Sequence, residues 1–92
     1  MGAVPRWFLA TLLLPEGRTD AALVEGIFES LHRAAQQIGV SVCGGHTEIT
    51  VGRDRPIVVG QMLGEVQRED LVQSTDLQVG DALLLTKGLG VE

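Results

Sequence analysis

Ninety-two residues suffice for one small domain, and with 45% hydrophobic and 21% charged residues the chain has the composition of a folded protein, not a disordered one. Its formal net charge of -5 and its singly dispersed basic residues offer no basic face to a nucleic-acid backbone, and Trp7, Phe8 and Phe28 are too few to build a stacking platform for bases. The lone cysteine, Cys43, excludes an internal disulfide and suits a reducing, cytoplasmic compartment.

Residues 7–14 are apolar without alternation, the pattern of a strand covered on both faces. The run is too short to cross a bilayer, and Pro15-Glu16-Gly17 ends it without a small-residue cleavage site, so it reads as a buried strand rather than a targeting or membrane segment. Thr19 or Asp20 then caps a helix. Leu23, Ile27, Leu31, Ala34 and Ile38 recur at helical spacing on one face, Glu25, Glu29, Arg33 and Gln37 form the wet side, and Gly39 is the stop.

Residues 40–43 predict a short strand running into a turn at Gly44-Gly45. A third strand is expected over residues 57–66, where Gly60 and Gly64 mark a bulge or the close approach of another backbone. Residues 67–80 are polar and connecting, and residues 82–86 predict another short buried strand before Lys87-Gly88-Leu89-Gly90. The order β-α-β-β places the chain in the α/β (α+β) class. A strand at 82–86 with no later partner would leave an open edge, so the sequence is expected to be part of a longer protein. A small domain that dimerises to cover its edge is the alternative.

The densest polar constellation is Cys43-Gly44-Gly45-His46-Thr47-Glu48. Paired glycines let the backbone approach a ligand, and an imidazole, a hydroxyl and a carboxylate follow where open α/β sheets bind ligands. A carboxylate such as Glu48 suits Mg²⁺, which takes one or two protein oxygens beside phosphate and water. A solvated turn is the competing structural reading. A zinc site on Cys43, His46 and Glu48 falls short of four ligands, and a cysteine ending a buried strand is more often packed than nucleophilic. The tail Thr86-Lys87-Gly88-Leu89-Gly90 has the ingredients of a phosphate loop without the Walker order.

Taken in order, several segments resemble the AIR synthase superfamily of ATP-dependent enzymes. They are Met1-Gly2-Ala3-Val4-Pro5, Leu14-Pro15-Glu16-Gly17, the GGHT motif Gly44-Gly45-His46-Thr47, the glycine-spaced strand at 56–64, and Gly80-Asp81 through Gly90. Members of that superfamily include aminoimidazole ribonucleotide synthase, selenophosphate synthetase, thiamine-monophosphate kinase and the hydrogenase-maturation carbamoyl dehydratase.

The resemblance implies two α/β domains and phosphoryl transfer from ATP with Mg²⁺. It also implies a PurM-like N-terminal domain that dimerises through its sheet. It divides the chain into part of an N-terminal, ATP-binding domain (1–66), a linker (67–80) and the start of a C-terminal domain (81–92) with its first strand. The same resemblance puts Gly44, Gly45, His46, Thr47 and Lys87 beside the nucleotide and Glu48 on the metal. The substrate, small or protein-bound, is left open, and the piece alone is expected to be inactive. Two departures stand out. Relatives with GGET or GGDT carry a carboxylate where this chain has His46, and the selenophosphate branch has an acidic residue where this chain has Ile49.

Overall fold

The computed structural model describes residues 2–85. Strand β1 (Val4–Pro15), helix α1 (Ala21–Gln37) and strands β2 (Ser41–Thr50) and β3 (Ile57–Glu65) follow in the expected β-α-β-β order. They form one mixed sheet in the order β2-β1-β3, with β2 parallel and β3 antiparallel to the central strand. The apolar run of residues 7–14 takes the centre of the sheet, paired on both edges, but the described chain covers only one of its faces and not both as its unbroken run suggests. Helix α1 supplies the crossover that a parallel pair requires.

Alternation along β1 separates the two faces of the sheet. Ala10, Leu12 and Leu14 are buried on the helix-covered face, with Leu12 only 1% exposed. Phe8, Ala10 and Leu12 stand opposite Met62, Gly60 and Val58 of β3 on this side. At Gly60 a Cβ would come within 2.6 Å of the Phe8 ring, so a side chain there would require the end of that ring to move. The other face pairs Trp7 with Leu63, Leu9 with Gln61, Thr11 with Val59 and Leu13 with Ile57, and no element of the described chain covers it. Gly64 lies beside a register shift between Pro5 and Trp7, where a Cβ would come within 2.6 Å of the Val4 carbonyl oxygen. Gly64 thus marks the expected bulge and close backbone approach, whereas the neighbour at Gly60 is a side chain and not another backbone.

Both ends of α1 are set by local chemistry. Asp20 accepts the Leu23 N–H at 2.8 Å, and Thr19 donates its hydroxyl to the Pro15 carbonyl at 2.8 Å. At the other end, Val40 N–H bonds to Ala35 O at 3.0 Å and Gly39 N–H to Gln36 O at 3.2 Å. This is a Schellman closure, and it needs Gly39 in the left-handed region at φ +69°. Replacing Asp20 by Ala removes the N-cap and is expected to cost about 1 kcal/mol, read as a lower urea midpoint at unchanged m-value.

The packed stripe of α1 differs from the expected one. Ala35 is buried and Leu23, Val24, Ile27, Phe28 and Leu31 are half-buried, whereas Ala34 and Ile38 are exposed. The helix packs on the β2 side of the sheet, so its far flank, with Ala34 and Ile38, borders a groove shared with Phe8 and Met62. Two further expectations change. Strand β2 does not end at Cys43 but runs through the glycine pair to Thr50. Residues 82–85 form no strand: no strand is paired with them, and Leu83 and Leu84 are each 91% exposed. Residue 86, the last of that expected strand, lies outside the described residues, as does Lys87.

Candidate functional site

The stretch from Gly44 to Glu48 is extended backbone paired in parallel with the middle of β1. Leu9 stands opposite Gly44, Ala10 opposite Gly45, Thr11 opposite His46, Leu12 opposite Thr47 and Leu13 opposite Glu48. A bulge precedes it. Phe8 pairs with Val42 and Leu9 with Gly44, which leaves Cys43 as the extra residue. Gly45 sits at φ +140°, and a Cβ there would overlap the backbone of Ala10. The glycine pair therefore allows a bulged strand to return to register against β1; it does not make a turn.

This geometry divides the predicted residues. Gly44, Gly45, His46 and Thr47 line one shallow cleft of about 270 Å³, together with Ala10, Val42 and Phe28 of α1. His46 and Glu48, two residues apart on one strand face, bring Nε2 and Oε2 to 3.8 Å, an ion pair when the imidazole is protonated. Both side chains are largely exposed, and Glu48 does not border the cleft. Thr47 supplies a hydroxyl on one face of β2 and Glu48 one carboxylate on the other. A single carboxylate suits a magnesium ion whose remaining ligands come from phosphate and water. Among the described residues no group of three or more His, Cys, Asp or Glu is placed to enclose a metal ion, which removes the zinc reading there. The Cys43 thiol donates to the Phe8 carbonyl at 3.7 Å and is otherwise exposed.

Phe28 is a cleft residue that the sequence reading misses. Its signal is present all the same: Val24, Phe28 and Ala35 form a second stripe at steps of four and seven beside the stripe that runs from Leu23 to Ile38. A larger open cleft, about 640 Å³, lies at the opposite end of β1. Gly2, Val4 and Arg6 border it with Glu65, Gln67 and Asp70, and Arg6 Nε meets Glu65 Oε2 at 3.2 Å on its rim. No predicted site residue reaches it.

Residues 1–66 match the family described as AIR synthase related protein, N-terminal domain. The chain belongs to that family. The AIR synthase related chain is 31% identical over 91 residues to selenide, water dikinase of Rhizobium meliloti (strain 1021), covering 99% of this chain and 25% of that protein. It therefore spans about a quarter of the length of the curated relatives it matches. A crystal structure of hydrogenase maturation protein HypE in complex with ATP superposes with a TM-score of 0.65 at 27% identity, over 74% of this chain and 21% of that one. AaThiL complexed with AMPPCP and TMP gives a TM-score of 0.55 at 28% identity, over 68% and 19%. The mixed sheet with its single crossover helix is thus the PurM-like N-terminal fold shared with these proteins.

Proposed function

We propose that this chain forms part of the nucleotide-handling domain of an ATP-dependent phosphoryl-transfer enzyme. The observation that carries the reading is the cleft bordered jointly by Gly44, Gly45, His46 and Thr47, in a chain whose structural relatives include one solved with ATP and one with AMPPCP. In this reading the glycines admit the nucleotide close to the backbone, and Thr47 and His46 donate to its phosphates. Glu48, on the same strand, provides a carboxylate to Mg²⁺. Lys87, outside the described residues, is the further phosphate contact. ATP supplies the transferred phosphoryl group, and this chain's own residues position it and balance its charge. In this reading residues 1–66 are part of the N-terminal domain, 67–80 the linker and 81–92 the entry to a second domain.

The open sheet face supports a second element of the proposal. Trp7, Leu9, Leu13, Val59 and Leu63 present apolar surface there, and a second copy of the chain packed sheet against sheet would remove it from water. Taken alone, that face also supports a rival reading, a dimerising module without chemistry. Calorimetric titration with Mg·ATP separates the two. The enzyme reading expects saturable binding by the longer protein that contains this domain, and a Glu48→Gln variant that binds Mg·ATP at least about tenfold more weakly, roughly 1.4 kcal/mol. Equal affinity in the two proteins would remove Glu48 from the metal, and no binding in either would leave the dimerising module.

A further inference from the structure

After β3 the chain repeats one four-residue form three times, Gln-x-x-Asp, at residues 67–70, 73–76 and 78–81. In each, the aspartate N–H donates to the glutamine carbonyl: Asp70 to Gln67 at 3.0 Å, Asp76 to Gln73 at 3.1 Å and Asp81 to Gln78 at 3.2 Å. In the second and third the side chain closes the ring from the other end. Gln73 N–H donates to Asp76 Oδ2 at 2.8 Å and Gln78 N–H to Asp81 Oδ2 at 2.9 Å. Aspartate is suited to this because its short carboxylate reaches nearby backbone N–H groups, and a charged acceptor strengthens the bond. The first turn also packs against the segment ahead of β1: the Asp70 carbonyl lies so near Gly2 that a Cβ there would approach it to 2.6 Å.

Beyond these braced turns, Leu83 and Leu84 are 91% exposed, although the helix-side face of the sheet keeps an apolar groove of about 140 Å³ lined by Phe8, Leu31, Ala34, Ile38 and Met62. A flexible tether covering residues 67–81 would have a root-mean-square span on the order of 20 Å and would let the leucines sample that groove. The chain as a whole is extended, with a radius of gyration of 17.3 Å against about 12 Å for a compact chain of this length. We propose that Asp76 and Asp81 lock residues 67–81 into a self-braced spacer that holds the apolar run at 83–85 clear of the domain's own groove. The spacer is independent of any nucleotide.

The test uses the full chain with spin labels on the exposed Cys43 and on a Leu84→Cys substitution. A single narrow distance distribution is expected. The double variant Asp76→Ala/Asp81→Ala should broaden it and add shorter distances. Asp76→Asn/Asp81→Asn, which keeps an acceptor oxygen on each side chain, should keep it narrow. In parallel, the Gln73 and Gln78 amides should exchange at least about tenfold more slowly in the parent and the Asn variant than in the Ala variant. The same distribution in parent and Ala variant overturns the spacer, whatever the amides do. Loss of the narrow distance in the Asn variant overturns the hydrogen-bond account of it.

Discussion

Gly45→Ala is expected to detach β2 from the sheet and leave the chain largely unfolded, a loss of more than about 4 kcal/mol. Two effects coincide at this position. The backbone sits at φ +140°, which L side chains rarely adopt, and the added Cβ would overlap the Ala10 carbonyl in the central strand. A flexible side chain could move aside; a paired backbone cannot do so without breaking the β1–β2 ladder. A small domain has only about 5–15 kcal/mol in total, and this one is near the lower end in size. Gly52→Ala is the matched control. Gly52 also has positive φ, +74°, but nothing lies within 4 Å of its would-be Cβ, so the cost is about 1–2 kcal/mol of backbone strain alone. Urea denaturation and amide-shift dispersion would compare the two. Equal stability would mean that β2 does not run in this register, and the cleft lined by Gly44 to Thr47 would fall with it.

The same glycine shows where sequence reasoning succeeds and where it stops. Strand β1, helix α1 and strand β3 are legible because each carries its signal locally: an unbroken apolar run, a 3.6-residue period with a capping aspartate and a closing glycine, and an extended segment after Pro56. Gly44-Gly45 is legible as a special backbone position, but the sequence points to a turn there. Paired glycines in sequence do not say whether the neighbour that forbids a Cβ is solvent-side geometry or another strand. Here it is Ala10, 35 residues away in the chain, and only tertiary pairing reveals it. The stretch at 82–85 fails for the opposite reason. Its composition is that of a buried strand, but an apolar run becomes a strand only when a partner accepts its hydrogen bonds, and no strand of the described chain does. Helix α1 is correct in extent and off by a fraction of a turn in orientation, because periodicity gives a stripe and the sheet decides which edge of it is covered.

For the site, the four residues from Gly44 to Thr47 are legible as a group and do share one cleft. What the sequence cannot show is how the strand parts this stretch: alternation puts Glu48 on the face of His46 and opposite Thr47, and of the two only His46 also borders the cleft. A metal held by Glu48 would therefore have to meet the phosphates over the edge of β2, where the parallel strand leaves its outer hydrogen-bonding groups unpaired by any strand of the described chain. That arrangement makes the carboxylate one part of a ligand set, in keeping with an ion that retains water and phosphate oxygens.

The second large effect concerns the open face. Val58 and Val59 are neighbours on β3, almost equally exposed at 45% and 49%, and they point to opposite sides of the sheet. Val59 lies opposite Thr11, between the Trp7–Leu63 and Leu13–Ile57 pairs; Val58 lies opposite Leu12 on the helix side. If two copies meet through the open face, an aspartate at position 59 would be buried against apolar surface with no cation on either neighbouring strand position to receive it. Isolated charges of this kind cost several kcal/mol, so Val59→Asp is expected to weaken self-association by about a hundredfold, on the order of 3 kcal/mol. Val58→Asp introduces the same charge into the same strand and should leave the association constant within about a factor of three, while lowering stability through its contact with the core. Sedimentation equilibrium on the parent and both variants distinguishes the faces directly. A dimer lost only in Val59→Asp supports sheet-to-sheet pairing. Loss in Val58→Asp alone would move the interface to the helix side, where the groove beside Phe8 and Met62 would become the contact and the open face would need another partner.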